Sequence, residues 1–332
     1  MNKKNRSMRR KNVNNSRILS LLSLAAFALL LAVPTQAQND AAQKMDQYLN
    51  RLRPQKPSSD ASSTANKSQP PRLSGVKTDV VPGCSYTFTS GSGATYMNYC
   101  VTVNGTLANF ESPAGIEMLY QNGVGEGYGV CDSSTEKWYW DYNYADSGNW
   151  NAPVTISENA TEVKIERSST DGAILLTQTI SKVPGASPAA RIVMSLKNTS
   201  GEDHGFYLLR FANFVPDQGG STGNYNETYD ASTDSTWGYI PEFVTYSTPS
   251  GPYGLRLNNV GEPSPASNFV VNYGYDYGSF FGPNPCYQNY DTQGNFFTPE
   301  TIVNGEGSGI LVYALFLNNN QTATVNLRYF GF

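Results

Sequence analysis

The sequence predicts an all-β fold: a large two-sheet antiparallel β-sandwich with long aromatic-rich loops. Three observations predict it. The chain holds 22 Tyr, 15 Phe and 4 Trp beside 30 Gly, with only 15% charged residues. Aromatic side chains suit the pleated, half-buried surface of a strand, and Gly, Asn and Ser suit tight turns. Beyond about Val80 no helical period appears, while short runs alternate apolar and polar residues with the period of two that a strand requires. Roughly 250 residues in one β-domain is an ordinary size.

The strands follow in order. Tyr86–Ser90 and Thr95–Val103 flank Gly91-Ser92-Gly93, and Ile116–Tyr120 and Lys137–Asp141 come next. Thr161–Arg167 places Val163 and Ile165 on one face and passes through Asp171-Gly172, a hairpin signal, into Ala173–Ile180. Arg191–Asn198 turns Ile192, Met194 and Leu196 inward and Arg191, Ser195 and Lys197 outward. Gly205–Phe211 returns after a polar loop. Gly309–Leu317 and Thr322–Phe330 read as a last hairpin about Asn318–Gln321. Residues 212–250 and 258–308 break this rhythm; they are long, rich in Gly, Pro, Asn and aromatics, and read either as functional loops or as caps on the open ends of the sandwich. The strands are too short and too polar for a membrane barrel.

The first 37 residues carry a basic head (Lys3 to Arg17), an uncharged apolar run from Ile18 to Val33, and Thr35-Gln36-Ala37, a small-x-small cleavage pattern. The run is shorter than the roughly 20 residues needed to span a bilayer. Residues 1–37 are therefore expected to be a secretory signal, with the mature chain starting at Gln38. The product would be exported: secreted, periplasmic or at the cell surface, with no membrane insertion after cleavage. Residues 38–76 are expected to be a disordered linker with one short helical stretch around Met45, Leu49 and Leu52, and 77–332 a single β-sandwich domain. Cleavage removes seven of the 23 Lys and Arg and none of the 27 acids, so the formal net charge moves from −4 to −11. Such a chain repels phosphate backbones, which argues against nucleic acid as a partner.

Four cysteines in an exported chain imply two disulfides. Cys84 and Cys100 lie symmetrically about Ser92, the centre of the expected hairpin loop; Cys131 with Cys286 follows by elimination. No CxxC spacing suggests a metal site in their place.

Candidate chemistry concentrates in three aromatic clusters. One holds Trp138, Trp140, Asp141, Asn143, Asn149 and Trp150; a second holds Tyr275 and Tyr277; a third is Tyr287-Gln288-Asn289-Tyr290. Aromatic faces cover the C–H faces of sugar rings, and short polar side chains bond the hydroxyl edges. These residues are the expected glycan-binding set; the alternative is that alternate members, Trp138 and Trp140 among them, belong to the core. No cofactor motif is present. Asp141, Asn143 and Asp146 are spaced like part of a calcium loop, but Ala145 and Ala152 depart from the EF-hand pattern, so a structural calcium would need another geometry. His204 lies in Thr199–Gly205, a polar stretch that reads as a solvated turn. Glu126, between Gly125 and Gly127, is the first acid to test for catalysis, since flanking glycines let a ligand approach closely. Asn-x-Ser/Thr sequons occur at Asn66, Asn104, Asn159, Asn198, Asn226 and Asn320.

Leu176–Ile180, Arg191–Ser200 and Tyr207–Phe211 together resemble sandwich domains of the galactose-mutarotase-like class, which carry an apolar strand, a Lys-Asn-Thr strand end and then an outward Arg strand. The resemblance covers about 40 residues. It implies a β-sandwich, and enzymes of that class commonly use a catalytic His and an acid; no catalytic residue carries across to this chain. The sequence thus favours an exported, non-catalytic protein binding a glycan or cell-envelope polymer. The alternatives are a carbohydrate-active lyase or hydrolase, and a structural or adhesive surface protein without a small ligand.

Overall fold

The computed structural model describes residues 83–121, 125–143, 145–185, 188–216, 226–230, 235–240, 253–261, 269–275, 285–286 and 307–332. The expected signal and the whole of the expected linker lie outside them, as do Tyr277 and Tyr287–Tyr290.

The described residues form three antiparallel sheets. The smallest joins β1 (Tyr86–Ser90), β2 (Met97–Val101) and β3 (Leu107–Glu111). A six-stranded sheet holds β4 (Glu126–Asp132), β5 (Lys137–Tyr142), β6 (Ala145–Asp146), β11 (His204–Phe214), β15 (Phe269–Tyr275) and β16 (Gly307–Leu317), in the order β15-β16-β11-β4-β5-β6. An eight-stranded sheet holds β7 (Val154–Glu158), β8 (Glu162–Ser168), β9 (Ile174–Val183), β10 (Ala189–Asn198), β12 (Asn226–Asp230), β13 (Ser235–Ile240), β14 (Tyr253–Asn259) and β17 (Thr322–Gly331). Its order is β12-β13-β14-β17-β10-β9-β8-β7.

Strict alternation builds the large sheet. Val163 and Ile165 of β8, Ile174, Leu176 and Ile180 of β9, Ile192, Met194 and Leu196 of β10, and Ala323, Val325 and Leu327 of β17 are all buried, while their neighbours along each strand face outward. They pack with Tyr128, Val130, Phe206, Leu208, Leu311, Tyr313 and Leu315 of the six-stranded sheet, and with Phe88, Tyr99 and Phe110 of the small one, in a single core. The Phe110 ring lies 6.0 Å from that of Tyr329 on β17. The β8–β9 hairpin turns where expected. Gly172 takes φ +73°, and Asp171 Oδ1 accepts the Ala173 N–H at 3.1 Å.

Four expectations change. Ile116–Tyr120 makes only isolated bridges, through Glu117 and Leu119. The long stretches 212–250 and 258–308 contain strands β12, β13 and β15. The segments 309–317 and 322–330 are not a hairpin: β16 pairs with β11 and β15, and β17 pairs with β10 and β14, so the turn between them crosses from one sheet to the other. The β10–β11 connection crosses in the same way. Both crossings converge on Asn198, a fully buried residue. Its Nδ2 donates to the Leu317 carbonyl at 2.9 Å and to that of Glu202 at 2.7 Å, and its backbone carbonyl accepts from Asn320 N–H at 2.8 Å. Fixed in this way, the sequon amide at Asn198 is closed to modification in the folded chain. Finally, Arg210 of β11, expected outward, is buried to the last atom.

Both disulfides pair as expected, Cys84 with Cys100 and Cys131 with Cys286. The hairpin behind the first is offset from the expected symmetry. Thr87, not Cys84, stands opposite Cys100, because the turn centres on the short 3-10 segment Gly93–Thr95 and not on Ser92.

Candidate functional site

Glycines shape the ground around Glu126. A Cβ on Gly127 would lie 2.1 Å from the Asp141 carbonyl oxygen, and one on Gly129 would lie 2.5 Å from Pro285 Cγ. The glycines of β4 therefore admit neighbouring protein, not a ligand. Glu126 itself is fully buried. Its Oε1 accepts from Arg210 Nε and, at 2.9 Å, from the Tyr329 hydroxyl; its Oε2 accepts the Leu107 N–H at 2.6 Å. Burial raises the carboxyl's pKa and the Arg210 guanidinium opposes that rise. Three donors and no acceptor surround the group, which is the setting of an ionised carboxylate. Arg210 in turn donates to Gln178 Oε1 at 2.7 Å and to the Gly105 carbonyl at 3.2 Å. A catalytic acid needs a path to substrate, and here Glu126 is shut off from solvent.

A second buried pair fills the calcium candidates. Arg167 NH1 donates to Asp141 Oδ2, Arg167 NH2 approaches Asp146 Oδ2 at 3.8 Å, and Arg167 Nε donates to the Asn151 carbonyl at 3.2 Å. Burial pushes the Asp141 carboxyl up to about 7 against the pull of this guanidinium. The position a divalent ion would take between the two aspartates is held by an arginine. Asn143, the third candidate, donates through Nδ2 to the Leu107 carbonyl. Among the described residues no group of three or more His, Cys, Asp and Glu gathers as metal ligands.

His204 is not in a solvated turn. It opens β11, is buried, and its Nδ1 lies 2.8 Å from Asp132 Oδ2. Among the described residues no hydroxyl bonds its other ring nitrogen.

The first aromatic cluster divides between layers. On β5, Trp138, Trp140 and Tyr142 share one face; Trp140 is only 2% exposed and stacks on Tyr142 with centroids 5.2 Å apart. Trp150 is buried against Tyr128 and Tyr139, with the Arg167 guanidinium 5.5 Å from its ring centre. Trp138 alone of the three indoles is half-exposed, and its carbonyl accepts from Asn149 Nδ2 at 2.9 Å. The expected platform is thus reduced at the surface to Trp138 and Asn149. Trp140, Trp150, Asp141 and Asn143 serve the interior. The backbone of Tyr275 pairs with Ser308 in β15, away from this cluster in the sheet order.

A surface that the sequence reading passed over lies on the outer face of the eight-stranded sheet. Trp237 of β13 stands opposite Arg256 of β14, which stands opposite Phe330 of β17. The Arg256 guanidinium sits 4.0 Å from the Trp237 ring centre and 5.8 Å from that of Phe330, and the Arg328 guanidinium sits 4.9 Å from Phe330. Arg328 Nε donates to Asn258 Oδ1 at 2.7 Å, and Arg191 NH2 to Asn326 Oδ1 at 3.0 Å. Arg191 stands directly opposite Arg328. The alternation of β10 and β17 marks Arg191, Arg328 and Phe330 as outward; only the strand order, with β17 between β10 and β14, brings them to Trp237 and Arg256.

No protein-family model matches the chain, and no curated protein sequence matches it. Among solved structures it is similar to an Escherichia coli K12 protein assigned provisionally as an aldose 1-epimerase (10% identity, TM-score 0.38, covering 74% of this chain and 99% of that one). It is also similar to a galactose mutarotase-like protein from Lactobacillus casei ATCC 334 (6% identity, TM-score 0.41, 74% and 100%). A bacterial glucoamylase complexed with acarbose is a third (11% identity, TM-score 0.44), with 77% of this chain spanning only 33% of that one.

Proposed function

We propose that this chain is an exported, non-catalytic β-sandwich that binds a glycan or cell-envelope polymer on the outer face of its eight-stranded sheet. The observation that carries the reading is the cross-strand row Trp237–Arg256–Phe330, extended by Arg328, Asn258, Asn326 and Arg191. Aromatic rings and guanidinium groups held in register on a sheet form a flat surface suited to an extended polymer. Among the described acids, Glu126, the first candidate for catalysis, is paired with Arg210, Asp141 with Arg167 and Asp132 with His204. Two disulfides fit an oxidising compartment. Among the described residues no helix is long and apolar enough to cross a membrane.

A glycan and polysaccharide array probed with the mature protein tests this directly. Binding that falls at least tenfold in Trp237→Ala, with unfolding unchanged, supports it. Polymer cleavage products in the same assay, or binding indifferent to Trp237, would count against it. Trp138 with Asn149 provides the comparison surface: if Trp138→Ala alone abolishes binding, the site lies at the β5 edge.

A further inference from the structure

We propose that the polymer is acidic, a saccharide chain bearing carboxylate or sulfate groups, and that Arg191 and Arg328 bind those anions. The inference rests on the polymer-binding reading above and names its ligand class.

The argument begins from an arrangement that stability alone does not favour. Arg191 and Arg328 are directly opposed on neighbouring antiparallel strands, where Cβ atoms are about 5 Å apart and like charges destabilise. Arg256 lies diagonally across from Arg328 on the next strand, at about 7–8 Å. Among the described residues, Arg191 and Arg328 form no ion pair. Cations are the minority charge in this chain, 23 against 27 acids. Two guanidinium groups opposed on adjacent strands of one exposed face therefore concentrate positive charge where the rest of the molecule dilutes it.

These groups are also held in place. Asn326 fixes Arg191, Asn258 fixes Arg328 through Nε, and the rings of Trp237 and Phe330 support Arg256 and Arg328 from the side. An orienting bond at Nε leaves the two terminal nitrogens of Arg328 as a fork, the geometry that matches a carboxylate or sulfate with two parallel hydrogen bonds. Orienting bonds of this kind reduce the ordering cost of binding.

The same geometry separates ligand classes. A neutral sugar or a nucleobase stacks on an open ring face. Here Arg256 lies over the indole of Trp237 and Arg328 lies over Phe330, so guanidinium groups already occupy ring faces and the row offers donors instead. Single-stranded nucleic acid shares the anions but depends on base stacking, and the chain's net charge of −4 repels it at long range.

The experiment measures binding of the mature protein to polygalacturonate, dextran sulfate, unmodified dextran and an oligo(dT) strand, for the wild type and for Arg191→Gln/Arg328→Gln. The expected result is binding to one or both acidic polymers, weakened at least tenfold in the double variant and by raising salt, with a melting temperature equal to or above that of the wild type because an opposed like-charge pair is gone. Acidic-polymer binding unchanged in the double variant overturns the assignment of the arginines. Salt-insensitive binding to neutral dextran that needs Trp237 overturns the acidic class and leaves the polymer-binding reading standing. Binding to none of the polysaccharides on this panel or the wider array overturns both. Tighter binding to oligo(dT) than to either acidic polymer replaces the proposed ligand with nucleic acid.

Discussion

Glu126 and Arg210 meet diagonally across two neighbouring strands: Arg210 stands in register with Tyr128 and Glu126 with Ala212, and the two side chains close a charge pair inside the sandwich. The pair is fully shut off from solvent. Taking both ions out of water is expensive, and their mutual attraction repays that cost only because Gln178, Gly105, Leu107 and Tyr329 satisfy the remaining donors and acceptors. Glu126→Gln should therefore destabilise by about 3–5 kcal/mol, since it leaves a buried guanidinium uncompensated. Glu126→Gln/Arg210→Met should cost clearly less than the sum of the single changes. Denaturant unfolding of the three variants checks the coupling.

The indoles separate by layer, so they should separate by phenotype. Trp150→Ala removes a buried ring flanked by Tyr128 and Tyr139 and should cost about 3–5 kcal/mol of stability. Trp138→Ala, at a half-exposed site, should cost well under half of that. Thermal melts of the two proteins, side by side, are enough to decide.

Asp171 governs an acid transition. Partial burial pushes its pKa up, yet hydrogen bonds from Ser169, the Ala173 N–H, Lys137 and Tyr139 outweigh this and hold it well below the usual carboxylate range. A depressed folded-state pKa gives stability that is present above about pH 4 and lost as pH falls below it. Asp171→Asn should reduce stability at pH 7 by about 1–2 kcal/mol and flatten the loss between pH 4 and pH 2. Unfolding curves of both proteins across that window test the sign as well as the size.

The disulfides should contribute unequally. Cys131–Cys286 closes 155 residues and Cys84–Cys100 closes 16. In the chain-entropy picture these constrain the unfolded chain by about 5 and about 3 kcal/mol. Replacing Cys131 and Cys286 by Ser should thus lower the melting temperature more than replacing Cys84 and Cys100.

Much of the fold was legible in the sequence wherever one face of a strand is buried and the other wet. Arg191–Asn198 announced its own orientation because a period of two permits no other register. Cysteine pairing was legible as well, although the hairpin offset that places Thr87 opposite Cys100 was not. What stayed hidden was the second layer of pairing. Gly309–Leu317 and Thr322–Phe330 look like hairpin arms because local sequence does not say which sheet a strand enters. Arg210 is placed outside only by the resemblance to galactose-mutarotase-like sandwiches; its partner Glu126, 84 residues away, holds it inside. The outer row of Trp237, Arg256 and Phe330 draws on three strands that are not all neighbours in sequence, and no spacing rule links them.

The place of β17 has a consequence for biosynthesis. Among the described strands, β7 to β10 and β12 to β14 are joined in the sheet order through β17, so the eight-stranded sheet remains two unjoined halves until that last strand has been made. Before then, β10 and β14 each present an unsatisfied edge, the kind of edge that recruits other chains. Such a sheet cannot mature strand by strand as the chain emerges. It must be completed in one late, non-local closure, which makes folding slow. Under the export proposed above, a chain passed through a membrane unfolded would gain from that delay.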